Sequence, residues 1–357
     1  MSYAALYDYQ QAQVYLKNAI QRETTNVNYR FQYGRLLIQA GFPDEAAAEL
    51  AACIGMDSTY IPALFQLGLL YAARKDNPQK EIAIFSSLIR QNPKDFLSFY
   101  YIGDALKRMN YADSGMIYVE QSITLNPKYF PSLVAGAHYK NANKEYAAAL
   151  ELYRQAEALR PRDKDLLFNI GECLRKLGSL HSAVDYFTKA IAIDSTNAFF
   201  HAQLGYAYFS LNQFDSSIAA YKTAIVCDRD NIQYYLNLAR AYERIDSVQG
   251  VVRTYHDGIR ALRPENISYA YNSLAIYYRS KQMWREAAEA YEHVYEYNPS
   301  NAMALFWAGD SYTHVPDNGS AADAYEKHVK LLAMDSTTLQ QRTYIKKLIT
   351  TLRKKGR

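Results

Sequence analysis

Small and apolar side chains recur along this chain at helical spacing, and the whole pattern then repeats. Gly171, Ala183, Phe187 and Ala190 are followed 34 residues later by Gly205, Tyr221 and Ala224. The same frame joins Gly34 to Ala46, Gly68 to Phe85 and Pro93, and Gly103 to Pro127. It continues through Ala149, Tyr153, Ala156 and Pro161, then Ala275, Tyr278, Ala287, Tyr291 and Pro299, and closes with Gly309, Tyr312, Ala321 and Tyr325. A fixed period of this size predicts a solenoid of helix pairs in place of one globular core. Nine units fit, over 27–60, 61–95, 96–129, 130–163, 164–197, 198–231, 232–267, 268–301 and 302–336.

Each recurring position has a packing reason. Gly or Ala in the middle of the first helix lets the second helix approach closely, which must offset the roughly 1 kcal/mol that Gly costs in a helix interior. A second small residue (Ala46, Ala149, Ala183, Ala287, Ala321) serves the same crossing from the other side. The aromatic residue four positions later shares its face and fills the gap between neighbouring units. Asn126-Pro127, Asn298-Pro299, Asp57-Ser58 and Asp194-Ser195 then stop the second helix.

The order of these residues resembles the tetratricopeptide repeat, a helix–turn–helix unit with the signature W-x2-L-G-x2-Y…A-x3-F…P. Leu274, Ala275, Tyr278, Ala287, Tyr291 and Pro299 carry it most fully, and the resemblance covers nearly the whole chain. It implies an all-α, right-handed superhelix of stacked antiparallel helix pairs. It also implies that positions 2, 5, 9 and 12 of each unit line a concave groove that receives a peptide. On that basis the expected peptide-binding residues are Phe65, Tyr100, Phe168, Asn169, Phe199, Gln203, Tyr206, Phe209, Arg240, Tyr269 and Arg279, with the strongest contacts in repeats 164–231. A terminal-carboxylate clamp is not expected, because position 5 never holds Lys. An amide ladder at position 6 (Gln32, Gln66, Asn169, Gln203, Asn237) is broken by Tyr101, Ala135 and Trp307. Charged residues one turn apart in the groove, Asp104 with Lys107 and Glu172 with Arg175, are expected to neutralise each other.

Both ends depart from the period. Ala12, Leu16 and Ala19 match a second helix, so residues 1–26 read as a partial repeat with only the tail of its partner helix, Tyr3 to Tyr9, in front. Such a start is either cut from a longer chain or naturally short; a cut start predicts self-association through an uncapped end. At the other end, Leu339, Tyr344, Ile345, Leu348, Ile349 and Leu352 predict one apolar stripe on a basic capping helix over 337–357. Six cations in 346–357 exceed the chain's whole net charge of +4, so the remainder is slightly acidic. The apparent basicity is a property of the tail, and nucleic-acid binding is not expected.

Composition narrows the function by exclusion. The chain has no apolar run long enough for a membrane span and no signal peptide, so it reads as soluble and cytoplasmic as written, unless a cut start removed a targeting segment. Cys53, Cys173 and Cys227 lie far apart and are expected to be buried apolar thiols. The seven histidines show no metal-ligand spacing, and there is no nucleophile elbow, phosphate-binding loop or dinucleotide fingerprint. No cofactor, metal site or catalytic residue is expected. Thirty-four tyrosines against 14 phenylalanines suit half-buried positions between repeats. The expected function is therefore a non-enzymatic scaffold that binds a protein or peptide partner in its groove. The alternatives are an assembly subunit using its convex face or ends, and a glycan or cell-envelope binding module.

Overall fold

The computed structural model describes residues 3–332 and 336–355, in two compact units, Met1–Leu177 and Gly178–Arg357. The first holds α1 (Tyr3–Arg22), α2 (Val27–Ala40), α3 (Pro43–Met56), α4 (Ile61–Arg74), α5 (Pro78–Gln91), α6 (Phe96–Arg108), α7 (Ala112–Leu125), α8 (Phe130–Ala142), α9 (Tyr146–Leu159) and α10 (Lys164–Lys176). The second holds α11 (Leu180–Ile193), α12 (Ala198–Ser210), α13 (Phe214–Cys227), α14 (Ile232–Arg244), α15 (Val248–Ala261), α16 (Pro264–Ser280), α17 (Trp284–Tyr297), α18 (Met303–Tyr312), α19 (Asn318–Leu331) and α20 (Ser336–Lys355). Among the described residues there is no strand. The chain is an all-α repeat solenoid, and in each unit a helix packs on the helix that follows it.

Local chemistry places the helix ends where the repeat pattern puts them. Asn26, Asn77, Asp95, Asp163, Asn197 and Asn231 precede helices, and their side chains accept hydrogen bonds from first-turn amides. Asp57, Asn92, Asn126, Asp194 and Asn298 sit just past second helices in extended or bridging conformations, where the following Ser or Pro turns the chain. The crossings are as tight as the small residues require. A Cβ added to Gly115 would fall on the Tyr139 hydroxyl, which donates a 2.8 Å bond to the carbonyl of Gly103. Tyr153, Phe187, Tyr221 and Tyr325 are fully buried at the aromatic position.

Several expectations need correction. Tyr3–Arg22 is one unbroken helix, with no turn after Tyr9; nothing in this stretch breaks helical hydrogen bonding. Its Leu16 and Ile20 pack on the core around Leu37 and Leu50, while Val14 and Tyr15 face solvent. α16 begins at Pro264, four residues ahead of the expected unit, because Pro is well suited to the first helical turn. The last helix buries Ile345 and Leu352 but leaves Leu339 and Tyr344 exposed, so its apolar stripe is narrower than the pattern implied. Cys53 and Cys173 are buried, and burial pushes both thiols up to about 11, whereas Cys227 is exposed. Residues 164–197 are divided between the units, α10 in the first and α11 in the second, with no shift of composition to mark the division.

Candidate functional site

On the second unit, the first helices of the repeats carry large apolar side chains in solvent. Phe199 is 50% exposed, Tyr206 45% and Tyr269 65%, and Ile276, Met303 and Trp307 are exposed as well. Phe199, Tyr269 and Met303 occupy position 2 of their repeats, while Tyr206 and Ile276 occupy position 9. Because the period is fixed, these side chains recur on one helix face of α12, α16 and α18. Between α14 and α16 lies a cavity of about 370 Å³ lined by Leu236, Arg240, Glu243, Tyr255, Ser273 and Ile276. Burial raises the Glu243 carboxyl above its ordinary range, against the pull of Arg240 and Lys281. Arg240 is exposed. Arg279 is bound instead, donating to Asp310 at 2.9 Å with its guanidinium 4.6 Å from the centre of the Trp307 ring.

The first unit differs. Phe168 is only 8% exposed and belongs to the core, so it is withdrawn as a ligand contact. Phe65 is half-buried with its ring edge-on to Phe85 at 6.5 Å. Asn169 is half-buried. Tyr100 lines a cavity of about 330 Å³ between α6 and α8, together with Asp104, Lys107, Phe130, His138 and Arg160. Burial and the nearby Lys107 lower the His138 pKa from its ordinary value, so the imidazole is neutral at pH 7. Its buried Nε2 has no hydrogen-bond partner.

A charged cluster backs this cavity. Glu81 stands where most repeats place a small residue at the crossing, and its side chain is 0% exposed. It accepts from Arg108, whose Nε also donates to Asp104 at 3.1 Å. Asp104 thus pairs with Arg108 and not with Lys107 as the one-turn spacing implied; an i,i+4 partner already fixed by a buried carboxylate is the better placed donor. Glu172 and Arg175 do pair, through two bonds of 2.8 Å.

Of the remaining predicted residues, Gln203 is half-buried on α12. Phe209 packs on Phe214 at 5.6 Å, and Arg244 covers both rings. Its contribution is therefore to the fold. Sequence reasoning missed Ile276 and Met303, which sit at positions 9 and 2 but carry no ring, and took Trp307 at position 6 only as a break in the amide ladder. It also missed Phe130, His138 and Arg160. Arg160 follows α9 and lies outside the first helices, so no reading of groove positions reaches it.

Among the described residues no group of three His, Cys, Asp or Glu side chains is placed to hold a metal, and no helix is long and apolar enough to cross a membrane.

Comparison with known proteins agrees with the repeat architecture. Family models described as tetratricopeptide repeat match residues 3–67, 62–95, 135–198 and 272–335, and one described as TPR repeat matches 205–246. The cell division cycle protein 16 homolog of Homo sapiens is 26% identical over 213 residues, which is 55% of this chain and 33% of that protein. The chain thus spans about a third of that relative's length. The C-terminal part of a TPR repeat-containing protein from Cytophaga hutchinsonii superposes with a TM-score of 0.58 at 16% identity, covering 68% of this chain and 98% of that one. YrrB, described as a TPR protein with an unusual peptide-binding site, gives a TM-score of 0.45 at 15% identity over 50% of this chain and 91% of its own. The chain belongs to the tetratricopeptide repeat family.

Proposed function

We propose that this protein is a non-enzymatic interaction scaffold that seats an extended segment of a protein partner along the first-helix face of its second unit. The observation that supports this reading is the recurrence of exposed Phe199, Tyr269 and Met303 at position 2 of their repeats and of Tyr206 and Ile276 at position 9, with Trp307 exposed at position 6 of the last repeat. Single exposed apolar residues are ordinary, but a row that returns on α12, α16 and α18 keeps apolar area in water repeatedly, with Gln233 and Arg240 taking its place on α14, and this favours an interaction surface. Aromatic side chains dominate the energetics of such surfaces because they bury much area while losing few rotamers. An already ordered helix array leaves only the ligand to pay the ordering cost. Arg240 at the cavity rim supplies a polar contact that sets register, worth about 0–1 kcal/mol while exposed.

The test is a random-peptide display selection on the full chain, followed by calorimetric titration of one enriched synthetic peptide. Tyr206→Ala, Tyr269→Ala and Trp307→Ala should each weaken binding by about 1–3 kcal/mol with little change in melting temperature. Phe209→Ala should do the reverse, lowering the melting temperature and leaving affinity unchanged, because its ring packs on Phe214. Failure to enrich any peptide, or binding by all three surface variants as tight as that of the parent protein, would sink the proposal.

A further inference from the structure

The cavity between α6 and α8 on the first unit has a different chemistry from the aromatic row. Tyr100 and Phe130 provide apolar walls, and two cations, Lys107 and Arg160, stand at it without a carboxylate partner. Asp104 is engaged by Arg108, and Arg108 is also held by Glu81, which is why Lys107 is left over. Lys107 Nζ lies 5.6 Å from the centre of the Tyr139 ring, and the Arg160 guanidinium lies 4.1 Å from the centre of the Phe130 ring. Among the described residues neither forms an ion pair. A guanidinium stacked on a ring keeps the N–H groups in its own plane available for a forked contact with an oxyanion. Around and behind the cavity, two carboxylates face three cations, which leaves a single uncompensated positive charge. His138 adds a buried ring nitrogen without a partner.

We infer that this cavity is a subsite for an acidic side chain of a protein segment, its oxyanion held by Lys107 and Arg160 and its stem by Tyr100 and Phe130. The neutral His138 imidazole serves as a donor through Nε2, with its tautomer selected by the arriving anion. A cationic ligand is disfavoured because the one carboxylate in the cavity, Asp104, is already neutralised. The inference borrows from the interaction reading above only the identity of the carrier; the subsite itself is open to fragments.

Those fragments are phenylacetate, phenyl phosphate and the neutral benzyl alcohol, titrated onto the full chain by ligand-observed NMR. Both anions should bind saturably, with benzyl alcohol about tenfold weaker. Lys107→Gln and Arg160→Gln should each weaken the anions by about threefold, and the double variant should abolish saturation. Both residues are exposed, so the thermal melt should not move. Arg240→Gln, on the other unit, should leave fragment binding unchanged. Tighter phenyl phosphate assigns a phosphorylated side chain, and tighter phenylacetate a carboxylate. The inference is overturned if benzyl alcohol binds as well as the anions, if no anion saturates, or if the double variant binds like the parent protein. Any of these leaves the peptide assay on Tyr206, Tyr269 and Trp307 standing, so the two readings fail separately.

Discussion

The two units share one backbone plan and spend their polar residues differently. In the second unit the crossing positions are conventional, with Ala183, Ser217, Ala287 and Ala321 buried beneath Phe187, Tyr221, Tyr291 and Tyr325. Its first helices then carry aromatic and aliphatic side chains outward. In the first unit the crossing itself is charged at Glu81, and the first-helix surface is a small basic and aromatic cavity. The contrast shows that a repeat separates two tasks. Positions 8, 20 and 24 close the helix pair, whereas positions 2 and 9 of α12, α14 and α16 are exposed. Glu81 is where the separation fails, because a core residue reaches through Arg108 to fix Asp104 at the surface and so frees Lys107.

The largest effect is expected where the first unit's packing has no slack. Gly115→Ala would push a methyl group into the Tyr139 hydroxyl and against the backbone oxygen of Gly103 at 2.9 Å. Overpacking and loss of the Tyr139 bond outweigh the gain in helix propensity, giving a loss of about 3 kcal/mol. In the second unit the crossing glycine on the first helix, Gly205→Ala, meets only the Tyr221 ring at 3.0–3.1 Å, which must give by a few tenths of an ångström. Its overpacking cost and its propensity gain are each about 1 kcal/mol, so it should be near neutral. Urea denaturation of both variants measures the difference; equal losses would show that the Tyr221 ring yields no more readily than the Tyr139 hydroxyl and the Gly103 carbonyl.

Glu81 gives the next effect. Glu81→Ala restores the small residue used elsewhere, yet it leaves Arg108, 20% exposed, with Asp104 alone. A loss of about 2 kcal/mol is expected, because breaking a buried pair from one side strands the remaining charge. Glu81→Ala combined with Arg108→Met should recover most of that loss. The same double variant should also perturb anion binding in the cavity through the released Asp104. Stability that fell further in the double variant would mean that the cluster holds the two repeats together by more than its charges.

The crossings were legible in the sequence because a fixed period tests each position nine times over; Gly103 and Ala149 announce themselves through their counterparts. The site was much less legible. Phe168 at position 5 and Phe199 at position 2 were both read as groove rings, and only the packing around each shows that one is core and the other surface. Asp104 has Lys107 and Arg108 equally near in sequence, and the choice between them is made by Glu81, 27 residues from Arg108. Arg160 reaches the cavity from the end of a second helix, which no pattern along the first helices contains. The residues that recur were therefore readable, and those that act once were not.

The turns between paired helices offer the smallest and sharpest check on that shared backbone. Gly41, Lys75, Asn110, Lys144, Gly178, Asn212, Asp246 and Gln282 all have positive φ, one at each turn from α2–α3 to α16–α17, yet only two of them are glycine. A side chain in the left-handed region costs about 1 kcal/mol, which glycine avoids while losing more freedom on folding. Lys144, at φ 63°, and Gln282, at φ 59°, are exposed, and their side chains take no part in the turn's backbone bonds. Lys144→Gly in the first unit and Gln282→Gly in the second should each stabilise the protein by about 0.5 kcal/mol, read as a rise in the midpoint of urea unfolding. Equal gains would place the difference between the units in their side chains alone. A gain in only one would show that the backbone plan itself differs, and the comparison would have to be redrawn from the turns outward.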